Sequence, residues 1–525
     1  MSHAPLTITT NSSLLRSFRW ALPFGALGLA LGVGLSLGQG AVAQDQANAA
    51  APVAPPPPSL EAILKPITED RLFTDAAVGV QVVDVASGQE VFSWKADDKL
   101  MPASTMKVLT SSVALRELGP AFRYKTALLT DAKAELDNKG VLGGNLYIKG
   151  SGDPTLVIEK LWKLVYDLKM EGVTEVSGDV VFDDTYMDKE RLIPGWDKKA
   201  DIEDGPTYFS TLGALSLNYN AAALVVGPGP EVGGAARAQL EVPSAAIVEV
   251  ENKLTTTTKG SRRNIRMERE VEGRTMKLTL TGTVPLGGDV ERFYRVVPDP
   301  TAYFVACFAE LLKAHGIKVK GQWREAETPD KVRELASLRS APLSVILMDV
   351  NKNSNNFFAE QVLKTVGAEV KGAPGSTAKG LEVIADYLKE LGVAPGEYTA
   401  VNGSGLSRGT KFTAAQLNAA LVDMAMNEDV THEFRSSLAI GGRDGTLWSR
   451  FRDSDEVDRV RAKTGTLDGV HCLSGYALGQ DGRLYAFTFF VNDLPYSISR
   501  ARKVQDQLVS ALFTAGGDVL AEQAP

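Results

Sequence analysis

The chain has 525 residues, 44% hydrophobic and 23% charged, with a formal net charge of −8. That length exceeds one ordinary hydrophobic core, so two to four globular domains are expected. The acidic balance and the lack of any basic run exclude nucleic acid as a partner. Four scattered histidines and two cysteines offer no zinc-ligand spacing.

The first segment is read as a leader. Arg16 and Arg19 precede an apolar run from Trp20 to Leu37, and Ala41-Val42-Ala43 closes it with a small-residue cleavage pattern. Residues 1–43 are therefore expected to be a secretory signal cut after Ala43, with an uncleaved anchor as the alternative. Residues 44–58, ending in four prolines, read as a Pro-rich linker. On this reading the mature protein is periplasmic, with at most peripheral membrane contact. An exported protein could use disulfides. However, Cys307 and Cys472 each fall in an apolar element, so two free buried thiols are expected.

Val78–Val85 alternates as a strand, Ala86-Ser87-Gly88 turns it, and Glu90–Trp94 returns. Met101-Pro102-Ala103-Ser104-Thr105-Met106-Lys107 then reads as a helix start, followed by the apolar positions Val108, Leu109, Val113 and Leu115. Ser104 and Lys107 share one helix face at this spacing. A serine is a weak nucleophile until a base lies beside it, and a buried, neutral lysine can be that base.

From about residue 126 the character changes. Asp153-Pro154 leads to a helix near Leu156–Met170, then Gly172-Val173 and strand signals to Phe182. The order returns at Asp299-Pro300, with a helix near Tyr303–His315 and then Gly316-Ile317 and a strand. These are read as two halves of one inserted region, about 126–335. It carries a β-rich sub-insertion, about 205–290, of Val- and Thr-rich strand signals. Beyond 335, Asn351–Ala368, Lys379–Leu391 and Ala414–Met426 read as helices, the last capped by Thr413. Leu473–Leu478 and Leu484–Phe490 are strands, and a final helix covers about Ser497–Phe513. Two early strands and several late ones suit an α+β unit, an antiparallel sheet covered by helices and built from 59–125 and 336–515. Residues 516–525 form a tail.

Ser-x-x-Lys alone is weak, since chance supplies it about twice in such a chain. A second copy stands at Ser376–Lys379, where it lacks partners. The first copy is distinguished by two segments further along the chain, Ser354-Asn355-Asn356 and then Lys463-Thr464-Gly465-Thr466. Ser216-Leu217-Asn218 is a decoy for the former. In this order the three form the set used by penicillin-recognising serine enzymes.

With these residues the chain resembles the low-molecular-mass class C penicillin-binding proteins, the D-alanyl-D-alanine carboxypeptidase/endopeptidases. The 250 residues between Ser104 and Ser354 fit the insertion of that class. Asn402–Arg408, Gly442–Leu447, Lys463–Leu467 and Gly475-Tyr476 resemble its other segments. The resemblance covers about 60–510. It implies a penicillin-binding/β-lactamase-like transpeptidase fold split by the insertion, acting on peptidoglycan stem peptides and acylated by β-lactams, with no metal or organic cofactor. It implies Ser104 as nucleophile, Lys107 as base with its pKa lowered by burial and by Lys463, and Ser354 as proton relay. Asn356 would hold the peptide amide or orient Lys107. Lys463, Thr464 and Thr466 would hold the terminal carboxylate along the strand through Gly465. The backbone amides of Ser104 and Thr466 would form the oxyanion hole. Asp204, Phe209 and Arg408 match a pocket for a diaminopimelate side chain, and Asp468 stands where relatives can carry an amide.

Two other readings compete. Gly405-Leu406-Ser407-Arg408-Gly409 matches the nucleophile elbow of α/β-hydrolases. That elbow needs a helix at once and a histidine downstream, whereas here the helix begins after Thr413 and only His432 and His471 follow. A non-enzyme alternative is a penicillin-acylated sensor or wall-binding module with little turnover.

Overall fold

The computed structural model describes residues 60–196, 207–452 and 457–515. The expected leader and linker, the tail and Asp204 lie outside the described residues. A six-stranded antiparallel sheet organises the rest. Its order is 439–440, 460–467, 470–478, 484–492, 77–84, 90–94. The early hairpin thus closes a sheet made by the end of the chain.

Alternation sends the two sets of side chains into two cores. Cys472, Tyr476 and Phe490 face the helices Lys107–Leu118, Leu343–Asn351, Asn356–Lys371 and Ala414–Met426. Leu473, Phe487, Phe489 and Val491 face the opposite way, where Val504, Leu508 and Leu512 of the last helix, Ile498–Ala515, meet them. Each such fully buried aliphatic side chain contributes roughly 1.5–3 kcal/mol. Cys307 and Cys472 are both free and buried, as expected. No helix of the described residues is long and apolar enough to cross a membrane.

Between the Ser104 helix and Leu343 lies a second core. Its five-stranded sheet runs 323–325, 180–183, 146–149, 125–131, 332–339. The two Asp-Pro segments seen in the sequence meet here. Strand 318–319 pairs in parallel with 175–176, and 323–325 pairs in parallel with 180–183. Their helices, Ile158–Met170 and Pro300–Ala314, share one apolar cluster that includes Leu161, Leu164, Phe304 and Phe308. The second copy starts cleanly because Asp299 accepts from the Ala302 amide at 2.9 Å and Pro300 stands at the first helical position. From 221 to 296 every regular element is a strand. These form two three-stranded sheets around Leu224, Val226, Leu254, Leu280 and Val284.

Two expected elements differ. The helix read over Asn351–Ala368 begins only at Asn356, and a separate helix, Leu343–Asn351, ends before it. Ser354 lies in the gap with φ of +56°, and Asn355 caps the restart by accepting from the Phe358 amide at 3.2 Å. Three successive cap-forming residues compete with the helix for backbone hydrogen bonds. Likewise Ser104 sits in a 3₁₀ turn, Ala103–Met106, and the α-helix begins only at Lys107.

Candidate active site

The turn bearing Ser104 is held from two sides by backbone that approaches without side chains. A Cβ on Gly405 would lie 1.9 Å from the Ala103 carbonyl oxygen, and Gly405 itself has φ of +74°. A Cβ on Gly465 would lie 2.7 Å from the Pro102 oxygen and 3.1 Å from the Ser104 nitrogen. Only glycine permits both contacts. The Lys463–Thr466 strand and the Asn402–Arg408 loop therefore converge on one serine.

Lys107 Nζ donates to Ser104 Oγ at 3.2 Å, to Asn356 Oδ1 at 2.7 Å and to the Ser404 carbonyl at 2.8 Å. These three acceptors use all three protons of an ammonium, or leave one position for a lone pair aimed at the serine. The lysine is fully buried, and burial pushes it down to about 7, against an opposing pull from Glu360. The sequence reading gave part of this shift to Lys463. Lys463 is also held well below the usual lysine range, by burial and by Lys107, and repulsion between two neighbouring cations disfavours the charge on both.

Lys463 Nζ donates to Ser354 Oγ at 2.8 Å and to the Thr464 carbonyl at 2.7 Å. The left-handed backbone at Ser354 turns its hydroxyl toward the strand instead of along a helix face. Asn356, first residue of its helix, reaches Lys107 through Oδ1 and donates through Nδ2 to the Tyr208 carbonyl at 3.1 Å. Thus Ser104, Lys107 and Asn356 form one hydrogen-bonded group and Ser354 and Lys463 another, near enough that the charge of Lys107 acts on Lys463.

Glu360 was not singled out from the sequence. It is fully buried, one turn beyond Asn356, and accepts from the Gly403 and Ser404 amides at 3.1 and 2.7 Å. It fixes the loop whose Ser404 carbonyl receives a Lys107 proton. Burial raises its pKa, while the Ser404 and Gly403 hydrogen bonds and Lys107 lower it in part. An acid at i+4 from Asn356 inside an apolar helix was the available signal.

The strand 460–467 is covered by 439–440 only at Arg461 and Ala462. From Lys463 to Leu467 its outer edge has no strand partner among the described residues, so an extended peptide can add there. Thr464 Oγ1 donates to Thr446 Oγ1 at 2.8 Å, and Thr466 Oγ1 lies 3.1 Å from His471 Nδ1.

Of the expected side-chain pocket, Phe209 packs on Trp196 and Tyr208 with ring centres 5.3 and 4.6 Å apart. Arg408 donates to the Asp468 carbonyl at 3.0 Å, and its guanidinium stands 3.7 Å from the fully exposed Asp468 carboxylate. Asp204 lies outside the described residues. The decoys have structural roles. Ser376 caps the helix Thr377–Glu390 by accepting from the Lys379 amide. Ser216 bonds Asn220 and Gln361 in a buried network. Ser407 accepts from the Gly409 amide, and the next helix starts at Ala414.

Residues 60–514 match the family model described as the D-Ala-D-Ala carboxypeptidase 3 (S13) family. The D-alanyl-D-alanine carboxypeptidase of Actinomadura sp. (strain R39) is 33% identical over 479 residues, covering 87% of this chain and 84% of that one. The D-alanyl-D-alanine carboxypeptidase DacB of Haemophilus influenzae is 26% identical, covering 83% of this chain and 90% of its own. The crystal structure of penicillin binding protein 4 from Haemophilus influenzae superposes with a TM-score of 0.72 at 25% identity. The match covers 85% of this chain and 97% of that one.

Proposed function

The chain belongs to the D-Ala-D-Ala carboxypeptidase 3 (S13) family, and on that premise we propose how its residues divide a serine carboxypeptidase reaction. The enzyme class is that of the low-molecular-mass class C penicillin-binding proteins. Ser104 Oγ attacks the carbonyl between the last two D-alanines of a stem peptide while Lys107 takes its proton. The oxyanion rests on the Ser104 and Thr466 amides. The C–N bond then breaks, Ser354 relays a proton to the leaving amine, and D-alanine departs. Water attacks the acyl-Ser104 ester, again deprotonated by Lys107. Asn356 orients both the lysine and the substrate amide. Lys463, Thr464 and Thr466 hold the terminal carboxylate beside Gly465. The observation that carries this reading is a fully buried lysine, near 7, within 3.2 Å of the serine hydroxyl.

A β-lactam presents the same carbonyl and carboxylate, so it acylates Ser104. Phe209 and Arg408, with Asp204, receive the side chain of the third stem residue, diaminopimelate. The region 126–335 serves as an accessory body that helps shape this pocket. The leader pattern before Gln44 supports a periplasmic location. The test is labelling with fluorescent penicillin, followed by release of D-alanine from a pentapeptide. Labelling without release would favour the sensor reading.

The pH profile follows from Lys107. Acylation needs its neutral amine, so the rate should rise through about pH 7 and level above it. Glu360 opposes the fall in the Lys107 pKa, so Glu360→Gln should move this rising limb to lower pH. An unmoved limb in a folded variant would show that Glu360 carries no charge at the relevant pH.

Lys463→Ala should lower kcat/KM by about 10–100-fold, the worth of one lost charge-assisted hydrogen bond. The loss should be greatest for peptides ending in a free carboxylate. An equal loss on a neutral ester would refute the anchoring role.

A further inference from the structure

A cavity of about 710 Å³ borders Asn356, and its size falls within the range of about 300–1,000 Å³ usual for ligand sites. The start of the helix Asn356–Lys371 forms one wall, and the inserted region forms the rest. Tyr208, Tyr219 and Tyr294 line it and are 43–56% exposed. Glu159 and Glu241 are its charged residues, and no Lys, Arg or His lines it among the described residues. Part of the lining is held under strain. Asn218, Tyr219 and Asn220 all take left-handed backbone, with φ of +49°, +58° and +53°. Asparagine tolerates that region, but for a bulky tyrosine it costs about 1–3 kcal/mol. The turn is kept by its two asparagines. Asn220 Nδ2 donates to the Thr211 carbonyl at 2.7 Å and to Ser216 Oγ at 3.0 Å, and Asn218 Oδ1 accepts from the Ile158 amide at 2.9 Å. Tyr219 stacks on Phe358, with ring centres 5.6 Å apart, and still remains open to the cavity. Strain of this kind persists where a side chain is displayed for use.

We propose that this cavity binds the neutral amino sugar that carries the stem peptide. The proposal rests on the reading of Ser104 as nucleophile and of the stem peptide as substrate. Two residues link the cavity to that chemistry. Asn356 lines it and accepts from Lys107, which reaches Ser104. Tyr208 lines it too, and its ring lies 4.6 Å from that of Phe209, the residue proposed for the third stem position. A stem with its scissile bond at Ser104 and its third residue at Phe209 therefore carries its earlier part past Tyr208. Two residues separate the third position from the sugar, a span of at most about 7 Å. A sugar ring presents apolar C–H faces to tyrosine rings, and its hydroxyls donate to carboxylates, so three open tyrosines and two glutamates suit it. The same two carboxylates disfavour an anionic peptide residue in this place.

The experiment measures D-alanine release from three substrates. They are a free pentapeptide, the same pentapeptide on its N-acetylglucosaminyl–N-acetylmuramyl disaccharide, and the same pentapeptide bearing a second stem on its diaminopimelate amine. The wild-type enzyme should favour the sugar-linked substrate over the free peptide by about tenfold in kcat/KM, mainly through KM. Tyr294→Ala should bring that ratio close to one, and Tyr294→Phe, which keeps the ring face, should preserve it. Tyr294 is exposed on the strand Glu291–Val296, so neither variant disturbs a core. A wild-type ratio near one, a ratio that survives Tyr294→Ala, or a gain seen with the second stem and not with the sugar overturns the proposal. Failure of the underlying reading looks different: no substrate is cleaved and penicillin does not label Ser104.

Discussion

Ser104→Ala is expected to abolish penicillin labelling and to lower D-alanine release by more than about 10⁴-fold. The covalent bond forms on the removed oxygen, and no second hydroxyl can replace it. Thr105 sends its hydroxyl to the Pro102 carbonyl at 2.6 Å, inside the turn. Ser354 is turned toward Lys463. The backbone of the turn is fixed by Gly405 and Gly465 and not by the serine side chain, so the variant should fold normally. Mass spectrometry of the penicillin-treated protein reads the result directly. An adduct that persists in Ser104→Ala and disappears in Ser376→Ala or Ser407→Ala would overturn the assignment of the centre.

Lys107→Met should slow acylation by about 10²–10⁴-fold, the usual worth of a positioned general base. Methionine nearly conserves the buried volume and removes the cost of burying an amine. Against this, Asn356 Oδ1 and the Ser404 carbonyl each lose a donor. The melting temperature should therefore shift by only a few degrees while the rate collapses. The residual rate should also lose its rise through about pH 7. A variant that keeps that limb would show that another group titrates there.

What was legible in the sequence was local. The proposed catalytic residues announce themselves because each segment holds its own chemistry within a few residues, and the Asp-Pro repeat because its order recurs. The break before Asn356 was harder, since no glycine or proline marks it; only the run Ser354-Asn355-Asn356 does. Glu360 is invisible until the Asn402–Gly405 loop folds over its helix.

The helix Asn356–Lys371 has another consequence. Phe357 through Ala368 are all buried, and two of the polar members, Gln361 and Lys364, are claimed by the region between the Ser104 helix and Leu343. Lys364, 1% exposed, donates to Asp188 at 2.6 Å and to the Glu190 carbonyl at 2.7 Å, while Gln361 donates to the Gly213 carbonyl. Separating that region from the helix would break these bonds and expose the apolar side chains packed beside them to water. Opening of the insertion and melting of this helix should thus be one cooperative event. In native-state hydrogen exchange, the slowest amides of strand 146–149 and of helix 356–371 should exchange with the same free energy and the same denaturant dependence.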